Sequence, residues 1–536
     1  MNKKYYIYNF LLAVILIASS FVFKSAYFNN LPAVIINILS LFSFTALLML
    51  LHSFFLNILS KVCLTTLFGF FVIAYFAEVI NYHITEMTFY EAFWDLLSFS
   101  FIYESAKVYP MAVGLFTVLF AFIIAIFWKI MCLQTQDKLL KNKDKVLKVF
   151  LILLTFAITL ITSSLFGMIR SYSLYQISKP VRSFEYLRQQ PEKQDIIAEV
   201  GNGKNVVHII LESYADVFTN DSYYPNLTPN INSLKNDAIV LNNMQQINYA
   251  KYSEAGNLIS NKGRMIYTGG ESHPNDIGLT YVLKQAGYYN VFMRGATKNA
   301  GGFKFSEVYS KEQGVDEYWT LETFKEKNID FDSSKWGVKD SSLFKQALAK
   351  YKSLLAKEQP FYLGLFTLDT HVDQIMSKEC KGLANLTNSD LLNAVSCTDR
   401  LVGRFIDELK SLPNFENTLI VIHADHMPYF ARDLLKDRQT QQIGLVINSN
   451  KAPFVQNKDT YLFDIPQTII SNLEIKTNAK FLLGEDITTS FVREQKTKRE
   501  TINEFPDLKL NDYSENAFYK IIYNFLSHYS NEEIYQ

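Results

Sequence analysis

Two patterns of apolar residues follow one another along the chain. Up to about residue 170 they run on with little polar interruption. The stretches near 5–23, 32–51, 62–80, 109–128 and 149–168 are each of the size that crosses a membrane, since a hydrocarbon core of ~30 Å takes about 20 helical residues. Beyond that point the apolar runs shorten. NVVHIIL (205–211), NVFM (290–293), FYLGLFT (361–367), TLIVIH (418–423) and IGLVI (443–447) read as buried strands. Helical patterns lie between them at 227–236, 277–287, 339–356, 391–411 and 465–473. Alternation of strand and helix predicts an α/β sandwich with a largely parallel central sheet. The expected organisation is an all-α membrane domain of five transmembrane helices (1–170), a juxtamembrane connector (171–200) interrupted by Pro180 and Pro191, an α/β domain (201–490) and a C-terminal tail (491–536).

Charge refines the topology. The 52 basic and 52 acidic residues cancel, but unevenly. Lys129, Lys138, Lys141, Lys143, Lys145 and Lys148 face only Asp137 and Asp144 in the loop between the fourth and fifth spans, and basic loops stay in the cytoplasm. The loop at 81–108 instead holds Glu86, Glu91, Asp95 and Glu104 with Lys107. With Lys3 and Lys4 also inside, an odd number of spans places everything after 170 outside. The first stretch reads as a retained anchor rather than a cleaved signal peptide, because four more spans follow it. No basic cluster lies outside the cytoplasmic loop, so a nucleic-acid partner is not expected. Of the four cysteines, Cys63 and Cys132 fall in or beside spans, whereas Cys380 and Cys397 fall in the α/β domain. In an oxidising compartment the latter pair closes a loop worth about 3 kcal/mol; two buried free thiols are the other reading. The tail is charged, then aromatic (Phe518, Tyr519, Tyr523, Phe525, Tyr529), at a helical spacing that suits packing back on the domain, with a place at the membrane surface as the other reading.

In sheets of this kind ligands bind beyond the carboxyl ends of the strands. Glu212-Ser213-Tyr214 follows 205–211, Leu368-Asp369-Thr370-His371 follows 361–367, and Ala424-Asp425-His426 follows 418–423. Acidic residues and histidines at strand ends are often helix caps, but three at one edge make an oxygen and nitrogen set suited to Zn²⁺ or Mn²⁺, with Mg²⁺ also possible. A hydroxyl beside such a metal becomes a nucleophile. The candidate is Ser253 in Lys251-Tyr252-Ser253-Glu254-Ala255-Gly256-Asn257, at the start of a helical pattern, where free N–H groups suit a phosphate. The same position also suits a plain N-cap, and spacing does not separate the two.

These residues resemble the alkaline phosphatase/sulfatase superfamily, and within it the membrane-anchored phosphoglycerol transferases: lipoteichoic acid synthases and the transferase that decorates osmoregulated periplasmic glucans. The matching pieces are VVHIILES (206–213), TPNINSL (228–234), KYSEAGNLIS (251–260), VFMRGATKNAGGFKF (291–305), WGVKDSSLF (336–344), FTLDTH (366–371), CTDRLVGRFIDEL (397–409) and IVIHADHM (420–427). FTLDTH followed by Cys380, and the block from Arg294, look nearer to the glucan-modifying branch. The resemblance implies a sulfatase-like domain in which Glu212, Ser253, Asp425 and His426 bind the metal. It implies that Ser253 stands where the family usually has threonine, while a register shifted by one would put Tyr252 there. It further implies that His371 and Arg294 bind the phosphate or headgroup. His423 points to the face of Asp425 and receives no role. The implied reaction moves phosphoglycerol from phosphatidylglycerol to a glycan through a covalent phospho-enzyme, in a multi-pass protein of the bacterial inner membrane with its catalytic domain in the periplasm. Alternatives are phosphoethanolamine transfer and a catalytically silent lipid sensor. Sulfate-ester hydrolysis is not expected, because Ser253 lies outside the C/S-x-P-x-R setting that formylglycine formation needs.

Overall fold

A computed structural model describes residues 43–48, 50–51, 58–85, 110–133, 145–162, 191–247, 252–264, 277–298, 305–372, 376–382, 387–436, 441–481 and 483–490. The chain divides into two compact units. In the first, three apolar stretches form helices: α1 (Ile58–Thr85), α2 (Pro110–Leu133) and α3 (Lys145–Thr162). Phe68 of α1 stacks on Phe127 of α2 with ring centroids 3.9 Å apart. Val62, Leu67, Phe70 and Ile73 of α1 and Val118 and Phe122 of α2 are exposed, the reverse of a water-facing surface. Side chains are described over 58–74, 117–132 and 149–156 of these helices, and among those described residues no helix is long and apolar enough to cross a membrane. The stretch at 5–23 and the tail 491–536 lie outside the described residues, as does most of 32–51.

The second unit is built on eight strands: β1 (Asn205–Leu211), β2 (Ala238–Leu241), β3 (Tyr289–Arg294), β4 (Glu317–Trp319), β5 (Phe361–Phe366), β6 (Thr418–Ala424), β7 (Gly444–Ile447) and β8 (Val455–Gln456). They pair in the order β8-β2-β7-β6-β1-β5-β3-β4. Its main helices are α4 (Pro229–Leu234), α5 (Ser253–Lys262), α6 (Leu279–Gln285), α7 (Asp340–Leu355), α8 (Asp390–Lys410) and α9 (Ile465–Asn472). Successive strand side chains point to opposite faces. Val207, Ile209 and Leu211 of β1 therefore join a core with α4, α7 and α8, while Val206 and Ile210 join one with α5, α6 and α9. Both faces are covered, which is why the central strands read as unbroken apolar runs.

The sheet is mixed and mostly parallel. β7 runs antiparallel to both β6 and β2, and the other five pairings are parallel. β2, β4 and β8 were not among the strands read from sequence; each has four residues or fewer, too short for a period to declare itself. Residues 193–199, read as connector, pack on the domain: Ile196 is buried, and Ala198 and Glu199 pair with Thr477 and Lys476. Cys380 and Cys397 form a disulfide.

Candidate active site

Strand register sets the site. Leu211 lies level with Ala424, so Glu212 and Asp425 leave adjacent parallel strands together. The backbone N–H groups of Ser213 and His426 donate to Asp425 Oδ1 at 2.8 and 2.7 Å. That leaves Asp425 Oδ2 buried with no hydrogen-bond partner. His426 directs Nδ1 to the Met427 carbonyl at 2.8 Å; with the proton there, Nε2 is left to face the carboxylates. His426 Nε2 lies 3.4 Å from Glu212 Oε1 and 3.6 Å from Asp425 Oδ2. Ligand atoms of Glu212, Asp425 and His426 all lie within 4.8 Å of one another, and all three residues are buried. An orphaned carboxylate oxygen, a second carboxylate and an imidazole with its far nitrogen committed fit a divalent cation by donor chemistry.

Ser253 is the first residue of α5, and Tyr252 stands at the cap position before it. Ser253 Oγ donates to Glu212 Oε2 at 2.8 Å and lies 3.4 Å from His426 Nε2. The serine therefore reaches into the cluster instead of capping its helix. Tyr252 packs against the core beneath α5. Two further residues that sequence reasoning did not single out support the cluster, one behind Ser253 and one behind Glu212. Asn257, fully buried, donates to the Ser253 carbonyl at 2.9 Å. Ser213, with a positive φ of 47°, donates its hydroxyl to Glu212 Oε1 at 2.7 Å.

His371 ends the turn after β5. Its charge acts on Glu212, and its ring lies 4.5 Å from that of Trp336. Arg294 ends β3, level with Phe366 of β5. Its guanidinium lies over the Phe305 ring at 3.9 Å, and its buried Nε and Nη1 have no hydrogen-bond partner. His423 does not face the cluster: its Nε2 lies 2.6 Å from His208 Nε2 inside the sheet.

The electrostatics follow from crowding. Burial alone would raise Glu212, but the hydrogen bond from His426 and the charges of His371 and His426 hold it at about 2. Burial and then the Glu212 charge push Asp425 up to about 8. Burial would lower His426, yet Asp425 and Glu212 together bring it to about 9. Near neutral pH Asp425 and His426 thus hold protons where a cation would sit, and those protons must leave when it binds. Below about 8 the Asp425 proton competes with the metal, so affinity for Mn²⁺ or Zn²⁺ rises with pH and falls on acidification. Calorimetric titration at pH 7 in two buffers of different ionisation heat should register proton release; a buffer-independent heat would refute this.

The family model described as Sulfatase matches residues 204–471. Phosphoglycerol transferase I of Salmonella arizonae is 30% identical over 237 residues, a match covering 42% of this chain and 31% of the relative. The protein of the same name from Escherichia coli is 30% identical over 241 residues, with 42% and 31% covered. The chain thus spans about a third of the length of these curated relatives. Among solved structures, the integral membrane protein lipooligosaccharide phosphoethanolamine transferase A (EptA) from Neisseria meningitidis is similar with a TM-score of 0.53. That likeness has 14% identity and covers 90% of this chain and 99% of that one.

Proposed function

The chain belongs to the sulfatase family, and from that premise we propose that it is a metal-dependent phosphotransferase. It moves the phosphoglycerol headgroup of phosphatidylglycerol to a glycan of the periplasm or cell surface. The observation that carries the reading is Ser253 Oγ, at the start of a helix, donating into the buried cluster of Glu212, Asp425 and His426. Relatives named phosphoglycerol transferase support the choice of headgroup. The three apolar helices, with Val62, Phe70 and Phe122 facing outward, support a membrane-anchored protein whose donor is a lipid.

Glu212, Asp425 and His426, with Ser253 beside them, would hold a divalent ion. Such an ion, when bound, favours the ionised serine and neutralises charge on the phosphate oxygens. The rest is done by the chain. Ser253 Oγ, freed of its proton, forms a bond to phosphorus while the bond from phosphorus to the diacylglycerol oxygen breaks, and diacylglycerol leaves with a proton. An acceptor hydroxyl then attacks the same phosphorus, and Ser253 regains its proton as the leaving group. The first N–H groups of α5 face the phosphate. Arg294 offers its unpartnered Nε and Nη1, and His371 a ring nitrogen, to the headgroup.

The test is release of diacylglycerol from labelled phosphatidylglycerol or phosphatidylethanolamine by the full chain in detergent, with Mn²⁺ or Zn²⁺. Release from phosphatidylglycerol is the expected result. Release from phosphatidylethanolamine alone would replace the headgroup. No release from either lipid would sink the transferase reading in favour of a silent lipid-binding protein.

A further inference from the structure

The turn that carries His371 is held by groups remote from it in sequence. Its own closing bond runs from the His371 N–H to the Leu368 carbonyl at 3.0 Å. Asp340, at the start of α7, accepts the Leu368 N–H at 2.6 Å and the Asp369 N–H at 3.3 Å. Asp369 answers by accepting the Asp340 N–H at 3.2 Å, and Lys339 Nζ lies 3.8 Å from the same oxygen. Burial pushes both carboxyls up from the usual carboxylate range, and the Asp369 charge raises Asp340 further.

The outer oxygens of this pair are each claimed by one hydroxyl. Thr398 donates to Asp340 Oδ2 at 3.2 Å, and Ser377 donates to Asp369 Oδ2 at 2.6 Å. Thr398 directly follows Cys397. Ser377 begins the short turn that Cys380 closes, with the Cys380 N–H on the Ser377 carbonyl at 3.1 Å. The disulfide between Cys380 and Cys397 therefore joins the two segments that supply the donors. Ser377 and Thr398 are fully buried, as is Asp340, so no water replaces a donor that moves away.

We propose that the disulfide and the Asp340–Asp369 pair form one clamp that positions His371. The covalent bond holds the donors, the donors hold the carboxyls, and the carboxyls hold the turn. Asp340, Asp369, Ser377 and Thr398 are positioning residues in this account, and the proposal rests on the reading that His371 meets the donor headgroup. Ser253, Asp425 and His426 stand on other elements. Glu212 meets the turn only through its backbone, which donates to Thr367 at 2.9 Å and accepts from Thr370, so releasing the clamp acts first on donor binding.

The experiment compares the full chain with Cys380→Ala/Cys397→Ala and, as a variant that leaves the disulfide intact, Thr398→Val. Both should raise KM for phosphatidylglycerol, the double variant by about tenfold, since a displacement on the order of 1 Å at a site already costs that much or more. Turnover at saturation and Mn²⁺ affinity should stay within about threefold, because an interaction with the bound donor is what weakens. Amide exchange should quicken at Leu368 and Asp369 and stay slow in β1. Unchanged exchange at those two amides overturns the clamp, as does a loss of Mn²⁺ affinity that parallels the loss of activity. His371→Ala separates the two layers. If it leaves KM unchanged while the double variant quickens exchange at Leu368, the headgroup role of His371 fails and the clamp stands.

Discussion

Ser253→Ala should lower transferase turnover by on the order of 10⁶-fold, the scale seen when a covalent nucleophile is removed from an otherwise intact site. The fold should survive. Ser253 makes no cap for α5, and its hydroxyl contributes a hydrogen bond to Glu212 and a longer contact with His426 Nε2, of which the first is worth about 1 kcal/mol. Glu212 keeps its bond from Ser213 and its contact with His426, so thermal unfolding should shift little and Mn²⁺ should still bind. Ser253→Thr should retain turnover within about tenfold, because it keeps a hydroxyl at the same position on a helix that tolerates a β-branched first residue. Tyr252→Phe should leave turnover within a few fold, since that side chain packs into the core below the helix. Turnover of Ser253→Ala above a hundredth of the parent would end the assignment, whatever the other two variants did.

The parts of this site that sequence makes legible are those that depend only on where a strand stops. Glu212 and Asp425 follow runs buried on both faces, and such runs have little choice but to lie in the middle of a covered sheet. Leu211 and Ala424 then fall level, and the next residues meet. The direction of β7 was not legible, because a buried antiparallel strand has the same apolar composition as a parallel one. The supporting contacts were less legible still. Asn257 reaches the Ser253 carbonyl one helical turn back, a pattern hidden among many buried polar residues. The reciprocal capping of Asp340 and Asp369 spans 29 positions, and no local period encodes it. Arg294 was singled out by family resemblance alone, and its position at the sheet edge follows from the pairing of β3 with β5.

Gly256→Ala should cost more in activity than in stability, because the added methyl group meets the backbone of a proposed metal ligand. A Cβ at this position would lie 2.2 Å from the Asp425 carbonyl oxygen and 2.8 Å from its carbonyl carbon. Both are backbone atoms at the end of β6, so no side chain can turn aside. Two effects oppose each other. Alanine is better than glycine in a helix interior by about 1 kcal/mol, whereas overpacking a rigid contact costs about 1–3 kcal/mol. The overlap exceeds 1 Å by comparison with ordinary contact near 3.4 Å, and strand β6 is locked between β1 and β7, so α5 is the element that moves. The net change in stability should be a loss of about 1–2 kcal/mol. The change in activity should be larger, because α5 carries Ser253 at its first position and β6 carries the ligand pair. A displacement near 1 Å breaks the 2.8 Å contact between Ser253 and Glu212, and misplacement on that scale costs about 10²-fold in rate. Turnover and thermal unfolding of the variant decide the matter. A protein that gains stability by the full helix preference of alanine and keeps its turnover would mean that α5 does not approach β6 as closely as Gly256 allows.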